Sequence, residues 1–259
     1  MNVADLLAIG SGSIVGGALG LLGGGGSILA VPLLLYVVGV PSTHVAIGTS
    51  ALAVGANAFT NLIAHSRGGH VKWPCAATFA VAGLGGAALG AAAGKRVDAD
   101  HLEFLFGLVM FAIAISMLLP RASRGDPDVR INPAIAIRLL VIGVIVGFLS
   151  GFFGIGGGFL IVPGIMLGSG MATLNAIGSS LLSVGVFGLT TAASYAASDL
   201  IDWRIAAFFV AGGIVGGIAG SVAARRLAVH RATLNRVFAV VVFVVAAFVT
   251  WRSAARAFG

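Results

Sequence analysis

Apolar residues fall in blocks along the chain, at 6–22, 27–38, 43–65, 74–94, 102–119, 135–153, 159–169, 174–197, 205–224 and 234–251, with charged residues and Pro/Gly breaks gathered between them. Eight of these blocks are 17 to 24 residues long, the length a helix needs to cross about 30 Å of hydrocarbon. The pattern predicts an all-α integral membrane protein. The two short blocks, 27–38 and 159–169, reach only about 17–18 Å as helices. Each therefore reads as the second half of a broken or re-entrant element begun by the block before it. The first block, Leu6 to Leu22, has no basic residue ahead of it and flows into more apolar chain, so it reads as a membrane segment and not as a cleaved signal peptide.

The blocks repeat. GLLGGGGSILAVP, from Gly20 to Pro32, matches GFFGIGGGFLIVP, from Gly151 to Pro163, at seven of thirteen positions with an offset of 131. After a one-residue deletion, AIGTSALAV from Ala46 matches AIGSSLLSV from Ala176, and the same offset of 130 pairs Trp73 with Trp203 and Lys95-Arg96 with Arg225-Arg226. Four landmarks in register indicate a duplication, a construction common in secondary transporters. The one long polar stretch, PRASRGDPDVRINP (120–133), links a first transmembrane repeat, 1–119, to a second, 134–259. Each repeat reads as four helices, the first of them glycine-broken or re-entrant.

The basic residues bear on how the repeats are oriented. If the glycine breaks are kinks, the repeats are parallel and Lys plus Arg divide nine against six between the two faces; if the breaks are reversals, the repeats are inverted and the division is ten against five. The inner face then holds Arg67, Lys72, Arg121, Arg124, Arg130, Arg138, Arg225, Arg226, Arg231 and Arg236. The positive-inside rule favours inversion about the membrane plane, with both termini outside.

Composition agrees with a lipid environment: 59% of the 259 residues are hydrophobic and 9% charged, where globular chains carry roughly 25% charged residues. The net charge of +7 sits in the gaps between blocks, where it orients the chain in the bilayer and forms no nucleic-acid patch. A single cysteine, Cys75, excludes an intrachain disulfide and a multi-cysteine metal site. No Asp, Glu, Lys or Arg falls near the middle of a block: Asp199 and Asp202 flank a helix end and Glu103 opens one. A proton relay or sodium site built on a central carboxylate is therefore not visible. His44 and His65 flank an apolar block and read as solvated interfacial residues. With no Walker loop, metal-ligand cluster or nucleophile beside a base, the chain reads as a non-enzyme that needs no cofactor, no metal and no ATP.

Two features could carry chemistry. The clusters Gly23 to Gly26 and Gly154, Gly156, Gly157, Gly158 occupy matching places. Consecutive glycines unwind a helix, each costing about 1 kcal/mol relative to alanine. Unwound backbone at membrane depth survives only inside protein or along a wet cavity. The helix that restarts offers unpaired N–H groups and a positive dipole end, which suit an anion. Glycines at GxxxG spacing, namely Gly86, Gly90, Gly94, then Gly212, Gly216, Gly220, then Gly143, Gly147, Gly151, read instead as close helix packing. The second feature is a pair of polar-striped helices. Ser50, Asn57 and Asn61 share one helical face with Thr49 and Thr60 beside it, and Ser180, Ser183, Thr190, Thr191 and Ser194 share another with Ser179 nearby. Such groups donate hydrogen bonds without a buried charge, or they act as glue between helices. The candidate anion-binding set is Gly25, Gly26, Ser27, Thr49, Ser50, Asn57, Asn61, Gly156, Gly157, Gly158, Ser179, Ser180 and Ser183, with the duplicated Ser50 and Ser180 foremost.

The duplicated GGGGSILAVP and GIGGGFLIVP, the AIGTS and AIGSS that follow them, and Trp73 and Trp203 together resemble the sulfite exporter TauE/SafE family of bacterial membrane permeases. The resemblance covers nearly the whole chain and implies ATP-independent transport of sulfite, sulfoacetate or a related organosulfonate across the inner membrane. Ser27 stands where the second copy has Gly158, and Ile155 where the first has Gly24, so the halves need not bind equally. The reading is a multi-pass secondary transporter whose partners are a small anion and the lipid bilayer, with a homodimer left open. An anion channel and a non-transport membrane subunit remain as alternatives.

Overall fold

In the computed structural model the described residues are 2–118, 125–126, 128–154, 158–226 and 231–257. They are helical almost throughout. Helix α1 (Val3–Leu22) is followed by a 3-10 segment (Gly23–Leu29), a single α-turn α2 (Ala30–Leu33) and a π-turn (Leu34–Val38). Then come α3 (Thr43–Arg67), α4 (Trp73–Gly94) and α5 (Ala99–Leu118). After the linker follow α6 (Pro133–Phe153), α7 (Gly158–Ser169), α8 (Thr173–Ala196), α9 (Trp203–Arg226) and α10 (Arg231–Ala257). Pro133 is the first helical residue of α6, and Asn132 Oδ1 accepts the Ile135 N–H at 2.8 Å as its cap. The described residues contain no strand, only an isolated bridge between Asp126 and Met171 that ties the linker to the α7–α8 turn. Among the described residues, seven helices are long and apolar enough to cross a membrane.

Glycine seams hold the helices in two pairs. Gly12, Gly16 and Gly20 of α1 lie against the backbone of Phe209, Gly213 and Gly217 of α9; Gly143, Gly147 and Gly151 of α6 lie against Phe79, Gly83 and Ala87 of α4. The second seam repeats the first position by position at the offsets found in the sequence. Gly212, Gly216 and Gly220 meet the α1 backbone from the other side, as Gly86, Gly90 and Gly94 meet α6. The packing role read from GxxxG spacing holds for all nine glycines. At each, a Cβ would overlap or crowd the facing helix, and in lipid such close approach is a main source of helix association. Asp5 and Arg204 join the N-terminal ends of α1 and α9, with Nε and Nη2 donating to the two carboxylate oxygens at 3.1 and 2.8 Å.

Helices α3 and α8 cross antiparallel at the centre, where Gly55 meets Gly188 and Leu189 and Gly185 meets Phe59. Buried residues make up 72% and 67% of their spans against 28% in α10, which explains why these two helices tolerate stripes of polar residues. Trp73 and Trp203, the first residues of α4 and α9, are 51% and 63% exposed, the position of an aromatic anchor at a membrane interface.

Both glycine breaks reverse the chain. Gly26 lies against the backbone of Ala18 and Leu19, so the segment after α1 doubles back along it. Likewise Gly164 faces Ile142 and Val146, and Gly168 faces Leu139, so α7 returns along α6. The broken elements are hairpins and not kinked spans. Followed through its turns, the chain sends α1, α3 and α9 one way and α4, α6 and α8 the other.

Candidate functional site

Each glycine break docks on the central helix of the opposite half, through the AIG(T/S)S motif. Ile47 packs against Gly154, and Ile177 against Gly23. Both glycines have positive φ, 65° and 70°, a conformation that costs a side-chain-bearing residue free energy. The next motif residue, Gly48 or Gly178, lets the carbonyl of Leu200 or His70 come close. Thr49 Oγ1 then accepts the Asp202 N–H at 3.0 Å and Ser179 Oγ accepts the Lys72 N–H at 2.9 Å, which anchors the α8–α9 and α3–α4 turns. Ser50 Oγ sits 2.9 Å from its own-helix Ile47 carbonyl and 3.3 Å from the Gly154 carbonyl of the second break. Ser180 Oγ donates to its own-helix Ile177 carbonyl at 2.8 Å. These four candidate residues thus already have backbone partners.

The two foremost serines do not meet. Ser50 lies five residues before the crossing glycine Gly55, and Ser180 eight before Gly188 on the antiparallel partner, which puts them about 20 Å apart along the helix pair at 1.5 Å per residue. One small anion cannot touch both, so each serine belongs to the neighbourhood of its own break. A Cβ on Gly25 would make an ordinary contact with Leu22, Gly26 is the close crossing with α1, and Ser27 is fully buried. Gly158 is the first residue of α7. Gly156 and Gly157 lie outside the described residues.

Around the crossing the halves differ. Asn57, Asn61 and His65 of α3 are buried one turn apart. Asn57 lies over Gly213 and Asn61 over Gly217 of α9, and His65 Nε2 is 3.5 Å from the Gly20 carbonyl. Asn61 Nδ2 donates to the Asn57 carbonyl at 3.0 Å, whereas Asn57 Nδ2 and Oδ1 have no partner. His65, read from sequence as solvated, is buried because α1 covers that end of α3; His44 is half-buried, its ring 6.5 Å from that of Tyr195. At the matching places α8 carries Phe187, Thr191 and Tyr195. The hydroxyls of Ser183, Thr191 and Ser150 are buried without partners.

Sequence reasoning missed Ser150 and the role of Gly213 and Gly217. A signal for the glycines was present. The doublets Gly212-Gly213 and Gly216-Gly217 give α9 two bare faces, one for α1 and one for the α3 amides. Among the described residues no three His, Cys, Asp or Glu gather as metal ligands.

Long apolar helices, paired hairpins and neutral polar groups around the crossing define a multi-pass membrane protein. The family model described as "Sulfite exporter TauE/SafE" matches residues 8–249, and the chain belongs to that family. It is 52% identical over 255 residues to a "Probable membrane transporter protein" of Xylella fastidiosa (strain 9a5c), covering 98% of both chains. It is 32% identical over 189 residues to MJ0441 of Methanocaldococcus jannaschii, covering 69% of this chain and 67% of that one. It is 27% identical over 254 residues to YunE of Bacillus subtilis, covering 88% and 90%. Both carry the same description. No solved structure matches it.

Proposed function

We propose that this chain is a secondary transporter that moves a small sulfur-containing anion, such as sulfite, sulfoacetate or another organosulfonate, across the bacterial inner membrane by alternating access. The observation that carries the reading is the reciprocal docking of two re-entrant glycine breaks, each against the serine-bearing helix of the other half. Matched discontinuous helices at depth are the construction on which carriers place their substrate sites. In this reading the backbone at the first break, Gly25, Gly26 and Ser27, and at the start of α7, Gly158, supplies N–H groups and a positive dipole end to the anion once the 3-10 turn over Gly23–Leu29 opens. Ser50 and Ser180 serve one break each. In a chain with no central Lys or Arg, these neutral donors are the available counter-charge.

The halves are read as inverted repeats, supported by the opposed directions of α1 and α6, α3 and α8, and α4 and α9, and by the matching glycine seams. Inversion lets one half open while the other closes around the same centre. Single cysteines placed within residues 95–101 and 225–231, with Cys75 replaced, should label from opposite faces of the membrane; labelling from one face overturns the inversion. The purified chain in proteoliposomes should give sulfite or sulfonate flux that saturates between micromolar and millimolar substrate. Flux that rises without saturation assigns a channel, and no flux across the sulfur-anion series removes the transport reading.

A further inference from the structure

Between the two serines runs a stretch of about 20 Å in which neither hydroxyl reaches a passing ion. Asn57, two residues beyond Gly55, lies at the crossing; the Ser183 and Thr191 hydroxyls there are also buried without partners, but Asn57 alone among the three is an amide with two N–H donors. It is fully buried, and neither its Nδ2 nor its Oδ1 has a partner. Its space exists because Gly213 has no side chain: a Cβ there would overlap the amide. In the other half the same seam position, Gly83, is bare for the ring of Phe187, which stacks on Phe79 with centroids 6.3 Å apart. Phe187 shows what packing alone asks of this place, a ring and not an amide. A buried amide with both ends unpaired is unfavourable unless something bonds to it at another point of the working cycle.

We propose that Asn57 is the specificity-determining contact of the transported oxyanion at the centre of the membrane, its Nδ2 donating to an anion oxygen when α3 and α9 part. Phe187 fills the matching place in the second half, so the proposed contact lies on the α3–α9 side. An amide suits the task because it donates two N–H groups without holding the ion by charge, which allows release. This rests on the transport reading above.

The test is sulfite flux in proteoliposomes for the parent and for Asn57→Ser, Asn57→Ala and Asn57→Asp, each checked for folded yield and thermal midpoint. Serine and alanine differ little in volume, so they separate a donor from a filler. Asn57→Ser should keep kcat/KM within a few-fold of the parent. Asn57→Ala should lower it about tenfold to a hundredfold, the value of a hydrogen bond to a charged group, at an unchanged midpoint. Asn57→Asp should abolish flux by repelling the anion. Equal flux in the serine and alanine variants overturns the inference, as does a loss of flux that only follows a loss of folded protein. A parent that carries no sulfur anion overturns the transport reading and this inference together, whereas an active parent with an unaffected alanine variant overturns the inference alone.

Discussion

Helices α3 and α8 carry almost the same five residues from their fourth position, AIGTS and AIGSS, yet at and beyond their crossing they diverge. One presents Asn57 and Asn61 to a bare glycine face and His65 to the Gly20 carbonyl of α1; the other carries Phe187, Thr191 and Tyr195 at the matching places. The shared part is spent on assembly. Ile47 and Ile177 seat the breaks, Gly48 and Gly178 admit a turn, and Thr49 and Ser179 anchor it. What the two helices share therefore builds the scaffold, while a residue present in one of them alone is free for another role, in our proposal contact with the anion.

The harshest way to break this comparison is to fill a seam on either side. Gly213→Leu and Gly83→Leu should each abolish folded yield in detergent, because the missing Cβ is space already taken by Asn57 or Phe187. If one of them folds well, the two seams are not equivalent.

Next in size is the pair at the crossing. Phe187→Ala empties a fully buried site and should destabilise the fold by about 3–5 kcal/mol, with flux per folded molecule retained. Asn57→Leu should leave the thermal midpoint unchanged or higher, since an apolar group of similar size relieves an unpaired amide, while flux falls. Opposite stability effects at matching positions would sharpen the division of labour; equal effects would erase it.

Smaller still is the contrast between Ser50 and Ser180. Ser50 reaches the other half's break through the Gly154 carbonyl, while Ser180 bonds its own-helix Ile177 carbonyl, so Ser50→Ala should cost about 0.5–1.5 kcal/mol of stability and Ser180→Ala less. Both should raise the sulfite KM about tenfold if each serves the ion at its own break. Binding measured on folded variants checks this, and unchanged affinity in both would leave the serines purely structural.

The least effect belongs to the turn before α5. Asp98 is held below the usual carboxylate range, first by the hydrogen bond with the His101 ring and then by the Asp100 amide. A depressed carboxylate adds stability that is present above its unfolded pKa, 3.8, and is lost as pH falls through the lower folded value. Asp98→Ala should lower the midpoint slightly at neutral pH, and the difference from the parent should shrink on acidification below about 3.8. The matching residue in the second half is Ala228, which offers no such group.

The sequence by itself determined much of this protein. Helix number, the two short blocks, the 130-residue offset and the nine packing glycines can all be read from it, because the free energy of placing a residue in lipid and the spacing of glycines on a helix are local properties. Tertiary structure alone decided that the breaks are hairpins, that each docks on the other half, and that Ser50 and Ser180 stay apart. Those outcomes depend on partners 104 or 153 residues away, such as Ser50 with Gly154 and Thr49 with Asp202, and no local pattern records which distant backbone a helix will meet. Asn57 shows the limit most plainly: sequence placed it on a polar face among other hydroxyls and amides, but only packing against Gly213 left its amide buried without a partner.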